Sequence, residues 1–192
     1  MIMFEQLDLL PDMPVPAVPR GLSYRAELLS RANEAALIAR IVDLPFAPFQ
    51  FHGFEGKRRT VSFGWTYRFD GRGLAEAEAI PDWLIPTRAK AAAFAGLAAD
   101  ALVQALIIEY APGAGIGWHR DRPQFGEVVG LSLGSASTLR FRRRVGAKWE
   151  RFALPVAPRS AYHLSGEARR EWEHGMLPID ELRYAVTFRT LR

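Results

Sequence analysis

The sequence predicts an α+β fold in which two helices precede a β-sandwich or barrel. Helical patterns occur before residue 101, and the rest of the chain consists of short β-type runs separated by turn residues. Helices followed by about seven short strands are typical of this class. The 192 residues contain no repeat, linker or low-complexity tract, so we expect one domain.

The N-terminal part is expected to contain an extended arm and two helices. Residues 1–20 are interrupted by four prolines, which favour extended backbone. The first helix begins after Ser30, a good N-cap, and ends before Pro45. The second follows the break at Pro81 and is expected to run from Thr87 to about Asp100.

The strands are predicted from β-branched and aromatic runs bounded by glycine or proline. They cover residues 105–110, 116–118, 128–133, 138–142, 148–154, 161–164 and 184–188.

Composition excludes several classes of protein. The chain has no cysteine, which rules out disulfide scaffolds, thiolate nucleophiles and cysteine-based metal sites. Its apolar runs are far shorter than the ~20 residues that a membrane span needs. Residues 1–20 contain acids and lack a signal-peptide pattern. We therefore expect a cytoplasmic protein that does not bind membranes.

Residues 118–121 carry a candidate metal-binding pair. On an extended segment His119 and Asp121 point to the same side. They would supply two thirds of a 2-His-1-carboxylate triad, which binds Fe(II) and leaves coordination positions open. The alternative is an ordinary surface pair. The third ligand would come from His163, in an apolar strand that favours a structural role, or from His174, in a charged segment before a glycine.

Residues 183–189 predict a strand with two different faces. Arg183, Ala185, Thr187 and Arg189 share one face, and aromatic and aliphatic side chains share the other. The two arginines lie ~20 Å apart along such a strand. Since arginine pairs with carboxylates even when partly buried, a dicarboxylic ligand would suit this face. A half-exposed edge strand would show the same pattern.

Two further segments are basic and aromatic. Residues 56–69 begin with Lys57 and two arginines and continue with interleaved aromatic residues, a combination that can bind phosphate and stack a base. Residues 139–152 predict a hairpin with a cationic tip that could bind a nucleic-acid backbone. The alternatives are a core strand and a solvated hairpin. The net charge of +4 is compatible with either interpretation.

Four motifs in this order resemble the AlkB-like Fe(II)/2-oxoglutarate-dependent dioxygenases. They cover residues 107–121, 125–134, 164–175 and 183–189, and the similarity extends more loosely to 58–67 and 80–84. The resemblance implies a double-stranded β-helix (jelly-roll) core with N-terminal supporting helices. It implies a single domain in which an arm (1–20) and a region of helices and substrate lid (21–104) precede the catalytic core (105–192).

The resemblance also implies the catalytic groups and cosubstrates. His119, Asp121 and His174 would bind Fe(II), with 2-oxoglutarate and O₂ as cosubstrates. Arg183 would pair with the distal carboxylate of 2-oxoglutarate, helped by the Tyr110 hydroxyl. The remaining residues implied at the cosubstrate, on the same strand as Arg183, are Thr187 and Arg189.

The lid segment would bind the substrate. By resemblance, Trp65 or Tyr67 would stack on a base, while Arg58 and Arg59 would contact phosphate. The expected partner is alkylated DNA or RNA, and no obligate protein partner is evident, so we expect a monomer.

Three positions depart from the family pattern. Ile108 and Ala185 stand where many members have asparagine, so neither can donate a hydrogen bond to 2-oxoglutarate. Pro123 stands where several base-repair members have an acid that contacts the damaged base. The leading hypothesis is a repair demethylase that releases succinate, CO₂ and formaldehyde. The alternatives are the same chemistry on a protein side chain or small molecule, and a non-catalytic jelly-roll module.

Overall fold

The computed structural model describes residues 18–51, 54–68 and 73–192. Of the predicted arm, all but residues 18–20 lies outside the described residues. The helices are α1 (Arg31–Ile41), α2 (Ile85–Ala95) and α3 (Gly166–Arg170). The strands are β1 (Leu22–Arg25), β2 (Ala47–Phe51), β3 (Phe54–Phe63), β4 (Trp65–Arg68), β5 (Gly73–Glu76), β6 (Gln104–Tyr110), β7 (Ile116–His119), β8 (Phe125–Gly134), β9 (Ser137–Val145), β10 (Lys148–Val156), β11 (Ala161–Leu164), β12 (Glu173–Met176) and β13 (Arg183–Leu191).

The strands form two main antiparallel sheets. The large sheet has seven strands in the order β1-β11-β8-β13-β6-β3-β2, and the small sheet has four in the order β10-β9-β12-β7. A two-stranded ribbon, β4-β5, follows β3. The sheets are consistent with the predicted α+β class and its jelly-roll core. No helix in the described ranges is long and apolar enough to cross a membrane.

The helices support the outer face of the large sheet. Helix α1 begins where the Ser30 hydroxyl accepts a hydrogen bond from the Asn33 N–H, as its N-cap preference predicts. Both α1 and α2 contact β8, and a buried apolar cluster fills the layer between them. Helix α2 ends at Gly96, which adopts a left-handed φ of 71° and terminates the helix before the predicted Asp100.

Strand β12 was not predicted, because its segment is charged and lacks regular alternation. It exists through pairing on both sides, with β7 on one edge and β9 on the other. For residues 56–69 a core strand was only the alternative interpretation, and residues 54–63 do form strand β3, which pairs with both β2 and β6. In both segments non-local pairing, rather than local sequence, decides the structure.

Buried Arg169 links α3 to the loop between β7 and β8. Its guanidinium donates hydrogen bonds to four backbone carbonyl oxygens, those of Asp121, Arg122, Phe125 and Gly126, at distances of 3.3, 2.8, 2.7 and 2.7 Å. Because one rigid fork satisfies four acceptors, the loop conformation depends on this side chain.

We predict that Arg169→Leu destabilises the protein by about 3 kcal/mol or more, since the substitution leaves several carbonyl groups without a donor. Urea denaturation measures the change. The matched control is Arg170→Leu, which alters the exposed neighbour and is expected to shift stability by no more than about 0.5 kcal/mol. Equal effects of the two substitutions would contradict the role assigned to Arg169.

Candidate active site

Two neighbouring strands of the small sheet bring two histidines together. His119 at the end of β7 lies directly opposite His174 in β12, and their ring centroids are 4.3 Å apart. Asp121 follows β7 by two residues, on the loop that Arg169 holds. The structure therefore places the two predicted segments side by side and brings His174, rather than His163, to the pair.

These three side chains form a compact set of possible metal ligands. One nitrogen of each histidine and one oxygen of Asp121 all lie within 4.8 Å of one another. The Nδ1 atom of His119 is 2.9 Å from the Gly117 carbonyl oxygen, so Nδ1–H donates and Nε2 remains free as a ligand. Two imidazoles and one carboxylate fit a divalent metal of the Fe(II) type.

Asp121 is held by a second buried network. Arg189 donates from Nε and Nη2 to the same Asp121 carboxylate oxygen at 3.1 and 2.8 Å, and from Nη1 to the Gln104 side-chain oxygen at 2.9 Å. Burial alone would favour the neutral acid, but the adjacent Arg189 guanidinium holds the pKa of Asp121 well below its usual value. Asp121 is therefore a carboxylate at neutral pH.

The two histidines are neutral at the same pH. Burial, with the neighbouring His119, lowers the pKa of His174 to about 3. Burial also lowers the pKa of His119. Since a metal binds only neutral imidazole, both rings are ready to bind one without first losing a proton.

Among the described residues, no carboxylate pairs with the buried charge of Arg183. Its side chain is 4% exposed, and its Nε atom has no hydrogen-bond partner among the described residues. The groups that face its guanidinium are the phenols of Tyr110 and Tyr162. Burying an unpaired guanidinium is costly, so this position fits a bound anion, and the fork geometry fits a carboxylate.

A cavity of about 530 Å³ connects these groups. Its wall includes the three metal-ligand candidates, Arg183, Arg189, Thr187 and both tyrosines. The volume is in the ordinary range for a small-molecule site. Among the described lining residues Asp121 is the only acid, whereas arginines at positions 58, 120, 122, 183 and 189 contribute five positive charges.

The wall is apolar where many members of the resembled family have asparagine. Ile108 and Ala185 are directly paired across β6 and β13 and belong to a buried apolar cluster with Met176. They line the cavity but offer no donor.

Tyr162 was missed in the sequence, where its strand was interpreted only through His163. It lies opposite Gly130 in β8, and a Cβ at residue 130 would overlap the phenol ring and its hydroxyl. Burial raises the pKa of Tyr162, so its hydroxyl remains a donor. His163 points to the other side of the strand, where Nε2 lies 2.7 Å from Glu127. No local signal distinguished Tyr162, because its contact with Gly130 depends on which strands pair.

The predicted substrate residues are only partly brought to the cavity. Arg58 lines it, with its guanidinium carbon 3.8 Å from the Phe49 ring centroid. Arg59 points to the opposite side of β3 and pairs with Glu109 at 2.7 and 2.9 Å, so the structure does not bring it to the cavity. Trp65 and Tyr67 lie on β4 outside the lining.

Tyr67 has one indirect connection to the site. The Arg122 guanidinium carbon lies 4.7 Å from the Tyr67 ring centroid, and Arg122 lines the cavity. Strand β4 therefore reaches the rim through a cation–π contact rather than through a stacking platform of its own.

The metal-free protein should lose stability as pH falls below 6.5. Unfolded His174 takes up a proton near pH 6.5, but in the folded protein its pKa is about 3, so acid favours the unfolded state. From pH 6.5 to pH 5 this residue should account for about 1.6 kcal/mol of the loss. Urea denaturation of wild type and His174→Gln at both pH values measures it. An identical decline in the two proteins would contradict the prediction.

Comparison with known proteins agrees with this geometry. Residues 26–189 match the model of the 2OG-Fe(II) oxygenase superfamily. A zebrafish (Danio rerio) protein described as probable RNA/DNA demethylase ALKBH6 is 29% identical over 132 residues, which is 68% of this chain and 54% of that protein. Mouse (Mus musculus) ALKBH8, described as a tRNA (carboxymethyluridine(34)-5-O)-methyltransferase, is 26% identical over 175 residues, which is 87% of this chain and 26% of that protein. The chain thus spans from about a quarter to about half of these relatives.

Solved structures show the same fold. OsALKBH1 superimposes with a TM-score of 0.70 at 16% identity, covering 91% of this chain and 100% of that one. A prolyl-4-hydroxylase from Pseudomonas putida gives a TM-score of 0.59 at 21% identity, covering 90% and 93%. With the family match over residues 26–189 and the His-Asp-His set lining its cavity, this chain belongs to the 2OG-Fe(II) oxygenase superfamily, and its similarity to ALKBH6 and ALKBH8 makes it resemble the AlkB-like members.

Proposed function

We propose that this oxygenase removes alkyl groups from nucleobases in DNA or RNA. The observation that carries the proposal is the charge of the cavity: five arginines line it, while the one acid among its described lining residues, Asp121, belongs to the metal-ligand set. A polyanionic substrate suits such a wall. The likeness to a protein described as a probable RNA/DNA demethylase supports the same substrate class.

The triad is assigned to iron. His119, Asp121 and His174 hold Fe(II), and Arg189 keeps Asp121 ionised and oriented through its two hydrogen bonds. When bound, Fe(II) with 2-oxoglutarate and O₂ supplies the oxidation of a substrate C–H bond to C–OH, with release of succinate and CO₂. On an N-methyl group, the hydroxymethyl product then breaks down to formaldehyde and the free nitrogen.

The cosubstrate is assigned to the Arg183 end of the cavity. The Arg183 guanidinium pairs with the distal carboxylate of 2-oxoglutarate, and Tyr110 donates a hydrogen bond to the same group. Tyr162 donates a further one, in place of the amide that Ala185 cannot supply. The Thr187 hydroxyl faces the cavity but donates to the Leu106 carbonyl oxygen at 3.2 Å, so its proton is already used within the protein.

The substrate enters past cationic side chains. Arg58 over Phe49 and Arg122 over Tyr67 hold guanidinium groups at the cavity wall, where they bind phosphate next to the target base. Their aromatic partners fix the guanidinium positions. Exposed Arg120 adds a third cation in the same region.

Incubation with single-stranded oligonucleotides that carry N-methylated bases, Fe(II) and 2-oxoglutarate should yield succinate and formaldehyde in equal amounts. Both products should be lost in His119→Ala and His174→Ala, because each removes one of three metal ligands. Arg170→Ala serves as the control and should retain activity. Undiminished product in the histidine variants would refute the assignment, and turnover on peptides but not oligonucleotides would refute the substrate class.

Tyr162→Phe should weaken 2-oxoglutarate binding about tenfold, since one hydrogen bond to a carboxylate is lost. Anaerobic calorimetry with the Mn(II)-loaded protein measures the dissociation constant without turnover. The control is Tyr24→Phe on the neighbouring β1, whose hydroxyl accepts from the Ala157 N–H at 3.2 Å rather than facing the cavity. Equal affinities in Tyr162→Phe and the control would exclude Tyr162 from the cosubstrate site.

A further inference from the structure

The solvent-facing side of the small sheet is basic and aromatic. Along β9, Leu139 and Phe141 are buried, so the alternate residues at 140, 142 and 144 face outward. Along β10 the exposed positions include 149 and 151, and register pairs them with 144 and 142. We call this surface the outer band; its members are Trp118, Arg140, Arg142, Arg144, Trp149 and Arg151.

The band is ordered by cation–π contacts that cross three strands. The Arg142 guanidinium carbon lies 4.6 Å from the Trp118 ring centroid and 4.5 Å from that of Trp149. Arg140 lies 4.8 Å from Trp118. Such contacts hold the guanidinium groups over flat aromatic surfaces. Trp149 remains 38% exposed, which is unusual for tryptophan and leaves ring surface open to a ligand.

Within the described ranges, most arginines of the band have no carboxylate partner. Glu173 pairs with Arg142 at 2.6 Å. By contrast Arg143, which faces the other way on the same strand, is neutralised by Glu150, Glu167 and Glu171. Of the four acids in these ion pairs, three therefore pair with the inward-facing Arg143 and one with an arginine of the band.

A shallow pocket of about 360 Å³, which we call the outer pocket, lies at the Trp118 end of the band. Its lining includes three glycines, at 115, 117 and 175, together with Lys57, Arg140 and the Trp118 ring. The pocket therefore has a largely backbone floor, an aromatic wall and two cations, which suits a flat base with its phosphate.

The band is continuous with the catalytic cavity. Trp118 lines both the outer pocket and the cavity, and Arg120 and Arg122 follow it at the cavity wall. From β7 to β10 the band crosses three strand spacings, ~14 Å. That length corresponds to about four nucleotides at the ~3.4 Å spacing of a stacked strand.

We propose that the outer band binds the strand that flanks the target nucleotide. It would take single-stranded nucleic acid, with phosphates at Arg140, Arg144 and Arg151 and bases against Trp149 and in the outer pocket. Aromatic rings between arginines favour this partner over an acidic peptide, because stacking and phosphate pairing are both satisfied. The choice of partner rests on the proposed function, but the binding itself requires no turnover.

The test is binding of fluorescein-labelled oligothymidylate to the full chain, followed by anisotropy at several salt concentrations. Wild type should bind with a steep salt dependence. Arg144→Ala/Arg151→Ala should bind about fivefold or more weakly and reduce the slope of log K against log salt by about 1.4, or about 0.7 per phosphate contact. Trp149→Leu should weaken binding but leave the slope unchanged, since it removes stacking and no charge.

The matched control is Arg31→Ala/Arg40→Ala, which removes the same charge from exposed positions on α1. If the control weakens binding as much as the band variant, or if the band variant binds like wild type, the proposal is wrong. Displacement of the oligonucleotide by polyglutamate at equal charge would assign the band to acidic proteins and also overturn it. Consumption of 2-oxoglutarate without substrate, which the band variants should retain, reports separately on the oxygenase site.

Discussion

The geometry of the active site depends on the hydrogen bonds that Arg169 donates to the loop between β7 and β8. Asp121 lies on a loop, and loops hold a side chain less firmly than strands do. One guanidinium bound to four carbonyl oxygens of that loop removes this freedom. Because α3, which carries Arg169, leads directly into β12, the same contact links the loop to the strand that carries His174. The loop that carries Asp121 and the strand that carries His174 are thus connected through α3 as well as through the pairing of β7 with β12.

The cavity is electrostatically incomplete without its ligands. Arg189 has an internal partner in Asp121, whereas buried Arg183 faces the phenols of Tyr110 and Tyr162 and has no carboxylate partner in the described part of the chain. A dicarboxylate bound at Arg183 would supply the missing negative charge, so cosubstrate binding would relieve a cost that the folded protein already carries. The apolar pair Ile108 and Ala185 offers no donor in this wall, which makes the tyrosine hydroxyls more important.

Local patterns were sufficient for some of the site and insufficient for the rest. In any strand, every second side chain points to the same face. This alternation alone predicts that His119 shares a face with Asp121, and Arg183 with Arg189. The choice between His163 and His174 depends on which strand pairs with β7, which no local pattern contains. The same limit hid Tyr162, whose direction toward the cavity depends on Gly130 in another strand. Arg58 and Arg59 show the remaining ambiguity. Because neighbouring residues of a strand point to opposite sides of the sheet, the sequence predicts that only one of the two arginines faces the cavity. Which one it is depends on the position of β3 in the sheet.

The alternation of side chains between the two faces of a strand also explains how one small sheet could serve both catalysis and the proposed substrate binding. On β9, Phe141 packs against the His174 ring with centroids 6.1 Å apart, and its neighbours Arg140 and Arg142 stack on Trp118 outside. On β7, His119 faces inward and Trp118 outward. A strand bound along the outer face would therefore rest on the residues that alternate with those supporting the metal. Since a shift of one residue in either strand would exchange the two faces, the register that forms the triad also forms the outer band.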